Sequence, residues 1–135
     1  MSQLVRDAMV PEPGTIEASA SAREAGETLQ RPEVRAVLVC DQGQLVGVVT
    51  RKTLVREVVA QGRDPKTTQV GGIAEPPNAT LEGSASLASA FAFLEEMDYE
   101  RVPVVEDGRL VGVLSRTGVQ RRLAEDEEVS DTDGV

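Results

Sequence analysis

The 135-residue chain has no histidine and no tryptophan, one cysteine, one tyrosine and two phenylalanines. Each shortage removes a class of chemistry. Without histidine, the His-dependent nucleophile triads and most acid–base designs are excluded. With Cys40 alone, an internal disulfide is impossible and a zinc site lacks its usual donors. Cys40 lies in the apolar run Ala36–Cys40 and is expected to be a packed thiol rather than a reactive one. Scarce aromatics leave Val, Leu, Ala and Ile to build the core. No apolar run approaches the roughly 18 residues of a transmembrane helix. The N-terminal stretch MSQLVRDAMVPEPG lacks the basic and apolar blocks of a signal peptide. The expectation is a cytoplasmic protein that is not an enzyme.

Basic charge is also in short supply. Lys and Arg number 14 against 23 Asp and Glu, for a net charge of −9. Glu125, Asp126, Glu127, Glu128, Asp131 and Asp133 crowd the C-terminus, so residues 124–135 read as an acidic, disordered, solvated tail. The remainder is nearly balanced, which permits an anion site. Nothing resembles a basic nucleic-acid surface.

What the chain does have is a repeat. Residues 34–54, VRAVLVCDQGQLVGVVTRKTL, return without a gap at 99–119 as YERVPVVEDGRLVGVLSRTGV. The same offset aligns Val5 with Val70, Thr15 with Thr80, Ser19-Ala20-Ser21 with Ser84-Ala85-Ser86, and Leu29 with Leu94. An ungapped repeat over most of a chain means two copies of one structural unit. Each is marginal in size alone. Residues 4–60 form the first copy, 61–69 a linker and 70–123 the second.

Each copy reads as strand, helix, strand, strand, helix, an α/β (α+β) arrangement. Short extended segments at Thr15-Ile16 and Thr80-Leu81 come first. A helix then starts near Ser21, where Ser21-Ala22-Arg23-Glu24 fits a capping box, and places Ala22, Ala25 and Leu29 on one face before Pro32. Its counterpart runs from about Ser86 to Met97 with Leu87, Ala90, Phe91 and Leu94 as the core stripe. Two apolar strands follow, joined at Asp41-Gln42-Gly43-Gln44 and at Glu106-Asp107-Gly108-Arg109, both hairpin signals. Thr50 and Ser115 are natural caps for the second helix of each copy. The first of these helices is expected to run through Leu54, Val55 and Val58 to about Ala60.

Three features resemble the CBS domain family: Val5-Arg6-Asp7-Ala8-Met9, Val102-Pro103-Val104-Val105, and the twice-occurring Leu45-Val46-Gly47-Val48-Val49-Thr50 and Leu110-Val111-Gly112-Val113-Leu114-Ser115. Two in tandem resemble a Bateman module. The resemblance implies two repeats packed with pseudo-twofold symmetry and clefts between them. It implies an adenosyl ligand, AMP, ADP, ATP or S-adenosylmethionine, and a sensing role exerted on a partner. The family motif continues Gly-h-x-Thr/Ser-x-x-Asp, in which the Asp accepts from ribose hydroxyls. Here Thr53 and Gly118 stand at that position, so the carboxylate is missing from both copies.

The site residues follow from this resemblance and from the strand-to-helix junction, where unpaired N–H groups favour anions. Thr50 and Ser115 serve as caps or as phosphate ligands. Arg51 and Arg116 follow them and supply charge or remain solvated. Thr53 offers one neutral acceptor. Arg101 precedes the Val-Pro-Val run at a position from which family members reach a phosphate. Thr15 and Thr80 lie where the first strand passes the adenine. The ligand is expected in a cleft between the copies, in an asymmetric pocket to which copy two supplies Arg101, Ser115 and Arg116.

Phe93 and Met97 form an i,i+4 pair outside the core stripe and are expected at the contact of a homodimer. Two functions compete. One is a regulatory sensor of an adenosyl or other anionic metabolite that acts in trans on a separate protein. The other is a dimerisation or docking scaffold that binds no nucleotide.

Overall fold

The computed structural model describes residues 3–11 and 13–133, with side chains placed as far as residue 125. In chain order the elements are α1 (Val5–Ala8), β1 (Val10–Pro11), β2 (Thr15–Glu17), α2 (Ala22–Leu29), β3 (Val37–Asp41), β4 (Gln44–Val49), α3 (Arg51–Leu54), β5 (Leu81–Glu82), α4 (Leu87–Met97), β6 (Arg101–Glu106), β7 (Arg109–Ser115) and α5 (Arg116–Asp133). A π-helical turn, Val55–Val59, continues α3, and a 3-10 turn covers Val70–Gly72. The two β-α-β-β-α copies are thus present as expected.

Two compact units result. The copy-one unit comprises residues 14–77 and 108–110, and the copy-two unit residues 1–13, 78–107 and 111–135. Each unit is therefore completed by a segment from outside its own β-α-β-β-α run. In the copy-one unit Val70 N–H donates to Ala20 O at 2.8 Å, Gly71 N–H to Ala18 O at 2.9 Å, and Ala22 N–H to Thr68 O at 2.8 Å. The copy-two unit repeats these bonds one for one. Val5 N–H donates to Ala85 O at 2.9 Å, Arg6 N–H to Gly83 O at 3.0 Å, and Leu87 N–H to Gln3 O at 2.9 Å. Val70 and Val5 are each fully buried, because each plugs the core of the unit that it closes.

Inside each unit the apolar periodicity decides what is covered. Ala22, Ala25 and Leu29 of α2 pack with Val37, Val39, Val49 and Val58 in one cluster. Leu87, Ala90 and Leu94 of α4 pack with Val102, Val104, Leu114 and Val119 in the other. β2 lies parallel to β3, and β3 antiparallel to β4, in register Thr15↔Leu38 and Val37↔Val49. β5 lies parallel to β6, in register Leu81↔Val104. The hairpin turns place Gln42 and Gly43 at φ 52° and 86°, and Asp107 and Gly108 at 54° and 79°. Glycine suits the second position because it carries no Cβ to clash.

The repeated Gly47 and Gly112 answer to a different constraint. A Cβ on Gly47 would lie 2.5 Å from Glu75 O, and one on Gly112 would lie 2.7 Å from Val10 O. Both glycines sit where the returning segment crosses its strand. Glu75 exchanges both backbone hydrogen bonds with Val48, and β1 pairs with β7 at Gly112 and Val113.

The helix expected to run through Leu54, Val55 and Val58 continues past Leu54 as the π-helical turn, which leaves Val55 57% exposed and Val58 buried. One expectation is revised. The acidic C-terminal stretch, expected to be disordered, is helical through Asp133 as part of α5. No glycine or proline interrupts it after Gly118 until Gly134, and Ala and Glu are good helix formers. Residues 134–135 of that expected tail lie outside the described residues.

Candidate functional site

In the copy-one unit, β2, the end of α2 and the start of β3 border an open groove of about 690 Å3. Its lining includes Thr15 and Ile16 of β2, Thr28 and Arg31 at the end of α2, and Ala36 and Val37 leading into β3. Small-molecule sites span about 300–1,000 Å3 and combine apolar walls with a few polar groups. Thr15, paired with Leu38 by the parallel register, therefore reaches this groove with an exposed side chain. Its counterpart Thr80 is likewise exposed, just before β5.

The β4-to-α3 junction lies in the same unit. Thr50 Oγ1 accepts the Thr53 N–H at 3.3 Å, and Thr53 Oγ1 accepts the Thr50 N–H at 3.0 Å. The two hydroxyls are 3.0 Å apart. Thr53 gives its own proton to Glu75 Oε2 at 2.9 Å, so Thr50 donates within the hydroxyl pair. Thr53 Oγ1 then holds two donors and has donated once, which uses its full capacity. It is also completely buried. The acceptor that the sequence left to Thr53 is thus spent inside the protein. Glu75 Oε1 is in turn paired with Arg56.

Arg51 points back to α2. Its Nη2 donates to Leu29 O, in the last turn of the helix, at 2.6 Å and to Arg31 O, which also accepts the Val34 N–H, at 2.8 Å. Arg116 makes the equivalent brace in the copy-two unit, but to carboxylates: Nη1 to Asp98 Oδ1 at 3.0 Å and Nε to Glu100 Oε2 at 3.6 Å. The repeated arginine therefore ties the end of the first helix to the start of the second in both units.

At the start of α5, Ser115 Oγ accepts the Gly118 N–H at 3.0 Å. Glu100 Oε1 accepts the Thr117 hydroxyl at 2.8 Å and the Thr117 N–H at 3.4 Å. These bonds, led by the hydroxyl and helped by Arg116 and Arg101, hold the Glu100 carboxyl below the usual carboxylate range, against a smaller opposing effect of burial. Arg101 opens β6 with its side chain exposed. Gly118 contributes no side chain. Cys40 is buried, and burial, followed by the charge of Glu17, pushes its thiol up, which keeps it protonated and unreactive.

The structure thus gathers Thr15 near one groove and Thr50, Arg51 and Thr53 at one junction. Arg101, Ser115 and Arg116 gather at the other. Three residues escaped the sequence reading. Glu75 is 22 residues from Thr53, with no local spacing to link them. Arg31 is an ordinary basic residue at a helix end. Glu100 did leave a signal, because the repeat offset aligns it with Arg35, a reversal of charge between the copies.

A family model described as the CBS domain matches residues 5–60 and again residues 70–125. The chain belongs to the CBS domain family. It carries two such domains in tandem, and CBS-domain proteins of this kind are generally regulatory. Among curated relatives, Hypoxic response protein 1 of Mycobacterium tuberculosis is 29% identical over 102 residues, covering 75% of this chain and 71% of that protein. The CBS domain-containing protein YhcV of Bacillus subtilis is 27% identical, covering 82% of this chain and 79% of its own. Among solved structures, CBSX2 in complex with AMP has a TM-score of 0.71 at 28% identity, covering 92% of this CBS pair and 98% of its own chain. Hypoxic Response Protein I with two coordinated zinc ions has a TM-score of 0.74 at 25% identity, covering 89% and 98%. Among the described residues of this CBS pair, no group of three or more His, Cys, Asp or Glu is placed to hold a metal ion. No helix among them is long and apolar enough to cross a membrane.

Proposed function

We propose that this CBS pair is a regulatory module that binds an adenosyl nucleotide or related anionic metabolite and, as a homodimer, changes the activity of a separate partner protein. AMP, ADP, ATP and S-adenosylmethionine are the ligands to try. The observation that carries the reading is the groove beside Thr15, where Ile16, Val34, Ala36 and Val37 offer an apolar wall to a base and Thr28, Arg31, Glu24 and Glu27 supply the polar groups. The AMP complex of the similar CBSX2 supports it. Recognition here leans on the base and the phosphate, since neither Thr53 nor Gly118 offers the ribose a carboxylate. One missing charge-assisted hydrogen bond costs about 1.5–3 kcal/mol, or roughly tenfold to a hundredfold in affinity. Affinity is therefore expected to be modest.

The second reading, a scaffold that binds no nucleotide, is favoured by the full internal satisfaction of Thr53. Calorimetric titration of the full chain with AMP, ATP and S-adenosylmethionine separates the two. Saturable heat with one of them supports the sensor. Absence of heat with all of them, from a protein that is a stable dimer, supports the scaffold.

A further inference from the structure

The segments that close the two units differ at one aligned position, Arg6 in the copy-two unit and Gly71 in the copy-one unit. Each donates its backbone N–H to the aligned carbonyl, Gly83 O and Ala18 O. In the copy-two unit the Arg6 side chain lies against Gly83, with Nε 3.4 Å from Gly83 O and Nη2 3.0 Å from Glu106 Oε1. The copy-one unit has no room for that arginine. A Cβ on Gly71 would lie 2.8 Å from the Ala18 Cβ and 3.0 Å from Ala18 O. The carboxylate aligned with Glu106 is nevertheless kept, as Asp41. Beside Gly71 there is a pocket of about 390 Å3. Glu17 and Asp41 line it from the ends of β2 and β3, Ser19 and Gln69 add a hydroxyl and an amide, and the exposed Val46 gives it an apolar wall. No basic residue lines it. Among the described residues neither Glu17 nor Asp41 forms an ion pair. The pocket shares no lining residue with the groove beside Thr15.

We infer that this pocket binds a guanidinium group, supplied by free arginine or by an arginine side chain of a partner protein, in the place that Arg6 takes in copy two. The repeat itself shows which group the carboxylate at this position holds, since Glu106 is paired with Arg6. A guanidinium presents its N–H donors in a planar fork that matches carboxylate oxygens two at a time. Glu17 and Asp41 offer such oxygens, and Ser19 and Gln69 offer further acceptors. The aliphatic stem packs along Val46 while the charge stays among the oxygens. The volume lies within the 300–1,000 Å3 or so of small-molecule sites. This inference is independent of the nucleotide-sensing reading above.

NMR of the backbone amides of the full chain, titrated with free arginine and with N-acetylarginine amide, is the test, with thermal melting of each variant as the check on folding. N-acetylcitrulline amide, which has nearly the same shape without the charge, is the control. Saturable shifts are expected at Ser19, Gly71 and Gly72 with the arginine compounds and not with the citrulline compound. Glu17→Gln and Asp41→Asn are expected to melt like the wild type and each to bind about fivefold more weakly, the scale of one exposed ion pair. Glu106→Gln, in copy two, is expected to bind within about twofold of the wild type, because its carboxylate is already taken by Arg6. Tighter binding of free arginine assigns the pocket to a metabolite, and tighter binding of the blocked compound to a protein side chain. No saturable shift with either, citrulline binding as tight as arginine binding, or undiminished binding by both the Glu17 and Asp41 variants overturns the inference. None of these results bears on the nucleotide titration.

Discussion

Thr53 donates its hydroxyl proton to Glu75 Oε2 at 2.9 Å, so the residue standing in place of the family's carboxylate is itself bound to a carboxylate. That bond ties the start of α3 to the segment that closes the copy-one unit. Thr53→Val keeps the shape but removes the cap on Thr50 N–H and the donor to Glu75. Loss of a cap and of a buried hydrogen bond to a charged group is expected to cost about 1–3 kcal/mol, read from urea denaturation. Thr53→Asp restores the motif and is expected to be worse, because it sets a second carboxylate against Glu75. Adding Glu75→Gln to Thr53→Asp is expected to recover most of that loss. If Thr53→Asp alone is as stable as the wild type, the Thr53–Glu75 bond does not hold this junction.

The two braces differ in what they grip, and that sets their worth. Arg51 donates to two backbone carbonyls at the end of α2, whereas Arg116 meets Asp98 and Glu100 at the surface. Hydrogen bonds from a charged donor to the backbone are worth about 1.5–3 kcal/mol. Exposed ion pairs are worth about 0.2–1 kcal/mol and weaken with salt. Arg51→Met is therefore expected to destabilise the protein more than Arg116→Met. Raising the salt concentration is expected to narrow the gap between wild type and Arg116→Met only. Equal losses in both variants, insensitive to salt, would contradict this division.

How much of this was legible in the sequence depends on how local each cause was. The caps at Ser21, Thr50 and Ser115 were readable because a hydroxyl bonds an N–H three residues on, a relation contained in a few letters. The hairpin turns and the stripes of α2 and α4 were readable for the same reason. The π-helical turn after Leu54 was not, since no local signal separates it from an ordinary helix. The closing of each unit by residues from before or after its own elements was hidden as well. Val5 and Val70 were seen to be equivalent, but nothing in the equivalence told which core each fills. The site suffered most, because Glu75 and Glu100 act on Thr53 and Thr117 from 22 and 17 residues away.

Glu100 gives the fold a pH dependence of definite sign. Its carboxyl lies below the usual range in the folded protein, so the unfolded chain binds the proton more tightly. The stability it contributes is fully present above the unfolded value of about 4.3 and is lost as pH falls through the folded value. Glu100→Gln keeps an acceptor for Thr117 but no longer titrates. The melting temperature of the wild type is expected to drop more steeply below about pH 5 than that of Glu100→Gln. Thr117→Val removes the leading cause of the shift and is expected to move the Glu100 titration, followed by NMR, back towards the ordinary range. Parallel acid profiles for wild type and Glu100→Gln would remove Glu100 from the pH response.

The homodimer contact proposed for α4 narrows to one residue. Phe93 and Met97 share a helix face, but their surroundings differ. The Phe93 ring meets Tyr99 edge to face at 6.0 Å and is partly covered by the copy-two core, while Met97 is 46% exposed one turn later. A polar residue at 93 is therefore expected to lower stability whatever the assembly, because it disturbs packing within the unit. Met97→Lys leaves that packing alone. In a twofold contact it would place a charge on each subunit's contact surface, where burying an unpaired charge is strongly unfavourable. Light scattering is expected to give a dimer for the wild type and a monomer for Met97→Lys with an unchanged melting profile at low concentration. A monomeric wild type would end the homodimer proposal, and a dimeric Met97→Lys would move the contact away from this face of α4.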